Sequence, residues 1–475
     1  MHRKISLVFV FFCLITVSFA QLPVSIGSDN EVLAEYQKIQ QADYHTGVKP
    51  FFITSKDTFF VRPVIELHAY GVSDNYGYMG IGAQVYWSKN RFSLWSAVPF
   101  GLARTPDWWQ NSTVPFVGRA AHLDNDYDIW IDPRIIVSYQ TKYILFQAGR
   151  SKFHLGEGYN SLWLSEFTPA MPFVRAQVRL KHVLYGYQIN YLQNPDQRFD
   201  GKIKHAFNFT HYFDFSFGPL NLDMFETVVQ DPIDSLGAHR GLDINYLNPV
   251  IFFRAIDLML GSPDNVLLGL GGSLRVMKKI LFYGYGVLDE MLVSHLLSGD
   301  KCWCLKYGAN AGMKLFYPMG KNMLYFQGEL SAVRPYTYSH DNPILAYGNL
   351  YQPLGHPLGA NFYQALAKTS FIKQKKLSIS LLASYSIYGQ DIDTLNYGKN
   401  IYRSYLSRVR DMGVITTQGK RTNLTYIDLT ISKEITSNLW LKTGIIFTHL
   451  SGQKNQILVH LAITSGILNP RWDWR

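Results

Sequence analysis

The side chains best suited to chemistry gather in two polar, aromatic stretches of this 475-residue chain. The first, GRSKFHLGEGYNSLWLSEFTPAMPFVRAQ, runs from Gly149 to Gln177 and carries Glu157, Tyr159, Asn160, Trp163 and Arg175. The second, YGNLYQPLGHPLGANFYQ, runs from Tyr347 to Gln364 and carries His356 and Asn361. Aromatic faces can stack on sugar rings, and planar carboxylate, amide and guanidinium groups can pair with hydroxyls, so these types together point to glycan recognition. The alternative is structural: aromatic residues form the interfacial belts of membrane proteins, and Gly and Pro shape loops.

Catalytic chemistry has weaker support. His154, His182, His205 and His211 have no metal-type spacing with Cys, Asp or Glu, and no Ser stands in a nucleophile elbow. No metal, cofactor or enzymatic activity is expected. A barrel hydrolase drawing one carboxylate such as Glu157 or Asp289 from a loop or the lumen ranks last. Gly269 to Gly272 lack the following Lys-Ser/Thr of a phosphate loop; they read instead as room for packing against a wall. Cys302 and Cys304 flank Trp303, a spacing poorly suited to a disulfide within an extended strand, and two thiols alone make no metal site; a bond formed in a loop stays open.

The elements that position these residues are strands. From Asn265 the residues Val266, Leu268, Leu270, Leu274 and Val276 fall on one side and Gly269, Gly271, Ser273 and Arg275 on the other, a period of two. After Lys278-Lys279 it resumes, with Leu281, Tyr283, Tyr285 and Val287 on the apolar face and Gly284 and Gly286 on the small one. Apolar-out, small-or-polar-in hairpins are what a transmembrane β-barrel requires. Leu377, Ile379, Leu381 and Tyr385 likewise oppose Ser378, Ser380, Ser384 and Ser386. The pattern recurs with Ile427, Leu429 and Ile431, with Leu439, Leu441 and Ile445, and with Ile457, Val459 and Leu461.

Between Arg240 and the first of these hairpins lies a different period. Asn248 as N-cap, Pro249 at the first position and Gly261 past the end predict a short helix, too short to cross a bilayer. Arg254 and Asp257 share a face of it and are expected to form a structural polar pair in the lumen or beneath folded loops.

Residues 1–20 combine a basic start, an apolar run and Ser18-Phe19-Ala20, the pattern of a cleaved signal peptide. Residues 21–50 read as a periplasmic segment whose Glu31 to Ala42 form a small amphipathic helix, closing the periplasmic mouth or lying on a surface, and 51–475 as the barrel with folded loops. Aromatic residues are 15% and charged residues only 17%, below the roughly 25% charged residues of soluble domains. The net charge of +10 is scattered, without a nucleic-acid stripe. With roughly 9 to 11 residues per crossing, about 400 residues make sixteen to eighteen strands.

The segments GEGYNSLWLSEFTPAMPFVR, RGLDINYLNPVIFFRAIDLMLGSPDNVLLGL, LDE at Leu288 to Glu290 and HPLGANF at His356 to Phe362 resemble the Wzi-like capsule-assembly outer-membrane proteins, with the gliding-motility RemB branch of the Bacteroidetes closest. The resemblance implies an all-β, antiparallel barrel of about 18 strands with helices at its periplasmic side and loops over its lumen. It further implies a lectin-like outer-membrane protein that binds or organises surface capsular polysaccharide, linked to gliding motility or adhesion. The expected partners are surface polysaccharide or lipopolysaccharide, outer-membrane lipid, and gliding or capsule-export proteins. A porin or specific channel for small solutes is the alternative.

Overall fold

A computed structural model describes residues 32, 57–71, 76–104, 119–123, 127–199, 202–233, 237–248, 264–290, 295, 298–374, 376–436 and 439–466. The first strands are β1 (Thr58–Gly71), β2 (Tyr76–Lys89), β3 (Phe92–Arg104), the short β4 (Arg119–Leu123), β5 (Tyr127–Ile131) and β6 (Arg134–Gln140). Then come β7 (Ile144–Ser151), β8 (Met171–Arg179), β9 (Val183–Phe199), β10 (Lys202–Phe217), β11 (Leu220–Gln230), β12 (Asn265–Val276) and β13 (Ile280–Glu290). The chain continues through β14 (Lys306–Met319), β15 (Asn322–Val333), the two-residue pair β16 (Gly348–Asn349) and β17 (Gln352–Pro353), and β18 (Phe362–Lys373). It ends with β19 (Leu377–Gln390), β20 (Lys420–Thr436), β21 (Leu439–Leu450) and β22 (Gln456–Thr464).

These strands form a closed antiparallel barrel of 18 staves. Each stave pairs with the next along the chain, and β1 closes on β22 from Glu66 opposite Thr464 to Gly71 opposite Val459. β5 and β6 form one stave, since both pair with β3. Pro133 interrupts it because proline offers no N–H to the ladder, while Asp132 N–H still reaches Pro99 O at 3.0 Å.

The alternation read from the sequence becomes an oily exterior and a polar interior. Leu270, Leu274, Ile379, Leu381, Ile427, Leu429, Ile445 and Val459 are exposed on the outside, whereas Ser273, Arg275, Ser378, Ser386, His460 and Thr464 are buried within. An apolar belt of this kind is at rest only in hydrocarbon, and the chain is an outer-membrane barrel. Tight connections such as 90–91, 218–219 and 320–321 alternate with long ones such as 152–170, 334–361 and 391–419. By the polarity general to bacterial barrels, the tight turns are periplasmic and the long loops face outward from the cell.

One face assignment is reversed. Tyr283, Tyr285, Leu281 and Val287 of β13, expected on the lipid side, are buried and point into the lumen, while Phe282 is exposed to lipid. The tyrosines turn inward because their hydroxyls find partners there: Tyr283 donates to Glu329 Oε2 at 2.8 Å, and the Tyr285 hydroxyl accepts from Glu157 N–H at 3.2 Å.

Residues 1–31 and 33–56, including the signal peptide and most of the N-terminal segment, lie outside the described residues. Val32 is helical and packs inside the periplasmic mouth against Leu281, Phe316, Met323, Tyr325 and Ile372. Asn248 is described as the residue closing a short 3-10 turn, Ile244–Leu247. The expected helix after it, with Arg254 and Asp257, lies outside the described residues. The flank 237–248 packs on the outward face of β10 to β12: Tyr246 is buried among Phe209, Val228 and Val266, and its hydroxyl donates to Asp264 Oδ2 at 2.7 Å.

Candidate functional site

The two polar stretches fold into the barrel rather than over its rim. The 152–170 loop enters from β7 and the 334–361 loop from β15, and with Ile401 of the 391–419 loop they share one core with inward wall residues such as Tyr212, Phe225, Tyr283 and Tyr285. The plug therefore meets the wall through an apolar core and, at the loop tips, through charged and polar groups.

The 152–170 loop is held at its tip by charges. Glu157 forms an ion pair with Lys314 of β14, Nζ to Oε2 2.7 Å, and both side chains are buried. Glu329 of β15 accepts the backbone N–H groups of Tyr159 at 2.7 Å and Asn160 at 3.2 Å besides the Tyr283 hydroxyl. One wall carboxylate thus takes the place of secondary structure for two consecutive loop amides, which would otherwise be buried without partners. Asn160 donates from its amide to Gln364 Oε1 at 3.0 Å, and its carbonyl accepts from Asn310 Nδ2 at 3.1 Å. Lys368 Nζ stands 5.6 Å from the centre of the Tyr159 ring.

Trp163 is the apolar anchor of the same loop. Its indole stacks on Phe225 with ring centroids 5.4 Å apart and meets Tyr285 edge-on at 4.9 Å, and its Nε1–H donates to Gly286 O at 2.9 Å. Gly269 lines the wall at this point: a Cβ there would sit 2.3 Å from Trp163 Nε1. The glycine run is thus packing room, as its lack of a phosphate-loop sequence indicates.

His356 and Asn361 fix the second loop. Leu358 N–H donates to His356 Nδ1 at 3.2 Å, which leaves Nε2–H to donate to Gln364 Oε1 at 3.1 Å. Gln364 therefore receives both Asn160 and His356 and ties the two loops to β18. Asn361 adopts φ 62°, and its side chain spans three segments: Nδ2 donates to Gly389 O at 3.0 Å and Gln418 O at 2.9 Å, and Oδ1 accepts Thr417 N–H at 2.6 Å. Arg175 is apart from these, on the wall at β8, hydrogen-bonded to Gln147 and stacked 4.7 Å above the Phe153 ring.

Glu157, Tyr159, Asn160 and His356 are thus brought together around Glu329, Lys314 and Gln364, while Trp163, Arg175 and Asn361 stand elsewhere in the lumen. Apart from the half-buried Tyr159, all the proposed glycan residues are at most 7% exposed. Lys314, Glu329 and Gln364 carry no sequence signal beyond inward parity on their strands, because the loop residues they hold at 157–160 are more than 150 residues away along the chain.

A second cluster lies where the loops meet the exterior. Trp303 and Tyr405 rings are 4.7 Å apart, Arg408 lies 4.2 Å over Trp303, and His340 meets Tyr405 edge-on at 5.8 Å. Cys302 and Cys304 are joined by a disulfide beneath Trp303. The two residues lie in a loop turn that brings their Cα atoms to 5.2 Å, so the loop bond left open by the sequence is formed. Lys399 donates to the carbonyls of Leu358 and Ala360 and stands 4.6 Å over the Tyr388 ring; burial lowers its ammonium to about 7.

No family model and no curated protein matches the chain. Among solved structures it is similar to Wzi, an outer-membrane protein involved in group 1 capsule assembly in Escherichia coli and described as a carbohydrate-binding β-barrel; identity is 15%, coverage is 91% of this chain and 86% of that one, and the TM-score is 0.55. It is also similar to OprD of Pseudomonas aeruginosa at 8% identity, covering 87% and 97%, with a TM-score of 0.46, and to OpdK of the same organism at 7%, covering 85% and 97%, also at 0.46. The likeness to Wzi, at this identity, is one of fold.

Proposed function

We propose that this Wzi-like outer-membrane barrel is a non-enzymatic protein that binds or organises surface polysaccharide through its extracellular loops. The observation that carries the reading is the plug: two long loops occupy the lumen and are tied to the wall by a buried Lys314–Glu157 pair and by Glu329. Strand barrels built for diffusion keep a water-filled lumen, whereas this one commits buried charge and a stacked tryptophan to filling it. The description of Wzi as carbohydrate-binding supports the same ligand class. In this reading Glu157, Asn160, Trp163, Arg175, His356 and Asn361 form the frame of the binding surface, and sugar contact falls to Tyr159 and to the Trp303, Tyr405 and Arg408 cluster, where aromatic faces and a guanidinium stand together.

A role in capsule retention, gliding or adhesion follows if the bound glycan is the cell's own. The test is a glycan array on purified protein together with capsule staining and motility of a deletion strain. Binding lost on Trp303→Ala and Tyr405→Ala, with thinner capsule or impaired gliding in the deletion, is expected. Absence of binding with unchanged capsule, motility and adhesion would overturn the reading. Steady single-channel conductance in planar bilayers would favour the porin alternative.

A further inference from the structure

The outer wall of β14, β15, β18 and β19 departs from the rest of the lipid-facing belt. Where staves such as β12 and β20 present Leu and Ile, this face presents Ala309, Ala311, Ala332 and Ala365 in adjoining positions, with Ala309 opposite Ala332 and Ala311 opposite Leu330. Leu330, Tyr363 and Tyr385 project on either side, at 66%, 50% and 45% exposure. Together they enclose an open, almost wholly apolar groove of about 440 Å³. The groove lies in the extracellular half of the wall: its residues fall within the first six positions of β14 and the first four of β18, which begin at the loop side.

The rim above the groove is basic. Tyr307 points outward one step above Ala309, and the guanidinium of Arg334 lies 5.5 Å over its ring. Arg421 of β20 pairs with Gly389, one outward step above Ile387, and is exposed. Lys301 and Arg410 are exposed on two loops joined over β14, where Val414 N–H donates to Lys301 O at 2.8 Å and Trp303 N–H to Asp411 O at 2.9 Å. Three nearby carboxylates have partners in their own loops, Asp411 with Arg408 at 2.5 Å, Asp391 with Arg403 at 3.9 Å and Asp300, next to Lys301, with His295 at 3.0 Å. An apolar channel in the hydrocarbon region beneath a cationic rim at headgroup level is the complement of a phosphorylated amphiphile.

We propose that this face binds a phosphorylated glycolipid of the outer leaflet, of the lipopolysaccharide class, with one acyl chain in the alanine groove and its phosphate on the basic rim. The pairing of the two features decides for lipid over a second copy of the chain. A copy of this barrel docked face to face would bring its own oily belt to the groove and set the same exposed Arg421, Lys301 and Arg410 against this rim, whereas a phosphorylated lipid satisfies both features at once. This inference is independent of the polysaccharide reading, since the groove lies on the outside of the wall and the plug on the inside.

The test uses the full chain purified in mild detergent, with native mass spectrometry against a bisphosphorylated hexa-acyl glycolipid, its dephosphorylated form and phosphatidylethanolamine. The expected result is retention of the bisphosphorylated form at least about tenfold above the other two. Ala332→Leu with Ala365→Leu, which fill the groove, and Arg421→Gln with Lys301→Gln, which neutralise the rim, should each reduce retention about tenfold. Both lie on the outer surface, and the heat-modifiable gel mobility of a folded barrel verifies that they fold. Equal retention of the three lipids, or full retention by the filled variant, would overturn the proposal. So would a dimer in the wild type that the filled variant abolishes, which would assign the face to a second copy.

Discussion

Removing the Glu329 carboxylate should release the 152–170 loop from the wall without dismantling the barrel. In Glu329→Ala the N–H groups of Tyr159 and Asn160 and the hydroxyl of Tyr283 lose their common acceptor, at 2.7, 3.2 and 2.8 Å. The Asn160 and Tyr283 donors lie away from water and the Tyr159 N–H is partly screened from it, and each buried donor left without a partner costs roughly 1–3 kcal/mol. The neighbouring Lys314–Glu157 pair survives, so the sum falls on the loop tip alone, on the order of 4 kcal/mol after partial relaxation. Such a change raises the open population of the loop by about a thousandfold. Two assays read it: conductance of the purified protein in planar bilayers, and protease cleavage between Phe153 and Thr168 on intact cells. Glu329→Gln keeps one oxygen for Tyr159 and Tyr283 but sets an NH2 donor against Asn160 N–H, and should fall between wild type and the alanine variant. An alanine variant with unchanged conductance and unchanged cleavage, in a barrel that is still heat-modifiable on a gel, would refute the role assigned to this carboxylate.

Three further outcomes are expected. Gly269→Ala drives a methyl to 2.3 Å from Trp163 Nε1, whose indole is fixed by Phe225 and Gly286 O, and should lower the urea midpoint in detergent through about 1–3 kcal/mol of overpacking; Trp163→Phe in the same background should recover part of it. Lys399 holds its proton to only about 7 in the folded protein and to about 10.4 when unfolded, so the unfolded chain binds more protons between these values and stability should rise with pH across that window; Lys399→Met should flatten the urea-midpoint profile there. Reducing the Cys302–Cys304 bond opens a very short loop, for which chain entropy gives only about 1–2 kcal/mol, so Cys302→Ser with Cys304→Ser should leave barrel yield unchanged while increasing cleavage near Trp303.

The staves were legible because each must present one face to hydrocarbon and one to water, and a period of two survives in a run such as Leu377 to Ser386. β13 misled because tyrosine and glycine are at home on either face: which way Tyr283 points depends on Glu329, 46 residues later. The stretches carrying Glu157 and His356 were recognisable as special, but what their side chains touch was not. Lys314, Glu329 and Gln364 look like ordinary inward polar residues until closure of the sheet sets them beside the loop tips. Cys302 and Cys304 are legible as loop residues, but whether they bond depends on the turn at Trp303, which their spacing alone leaves open.

The lumen anchors also impose an order of assembly. The 152–170 loop leaves the wall between β7 and β8, early in the chain, yet its receptors Tyr285, Lys314, Glu329 and Gln364 belong to β13, β14, β15 and β18. Its tip at Glu157 is held by Tyr285 of β13 and Lys314 of β14, more than 100 residues further along the chain, so these contacts form only once those strands have joined the sheet. Contacts of that sequence separation form slowly because loop closure must come before they contribute. Docking of the plug therefore follows the joining of these strands, and Trp163 serves as a reporter of it: its fluorescence should change when β11 and β13, which carry Phe225 and Tyr285, come to stand around the indole.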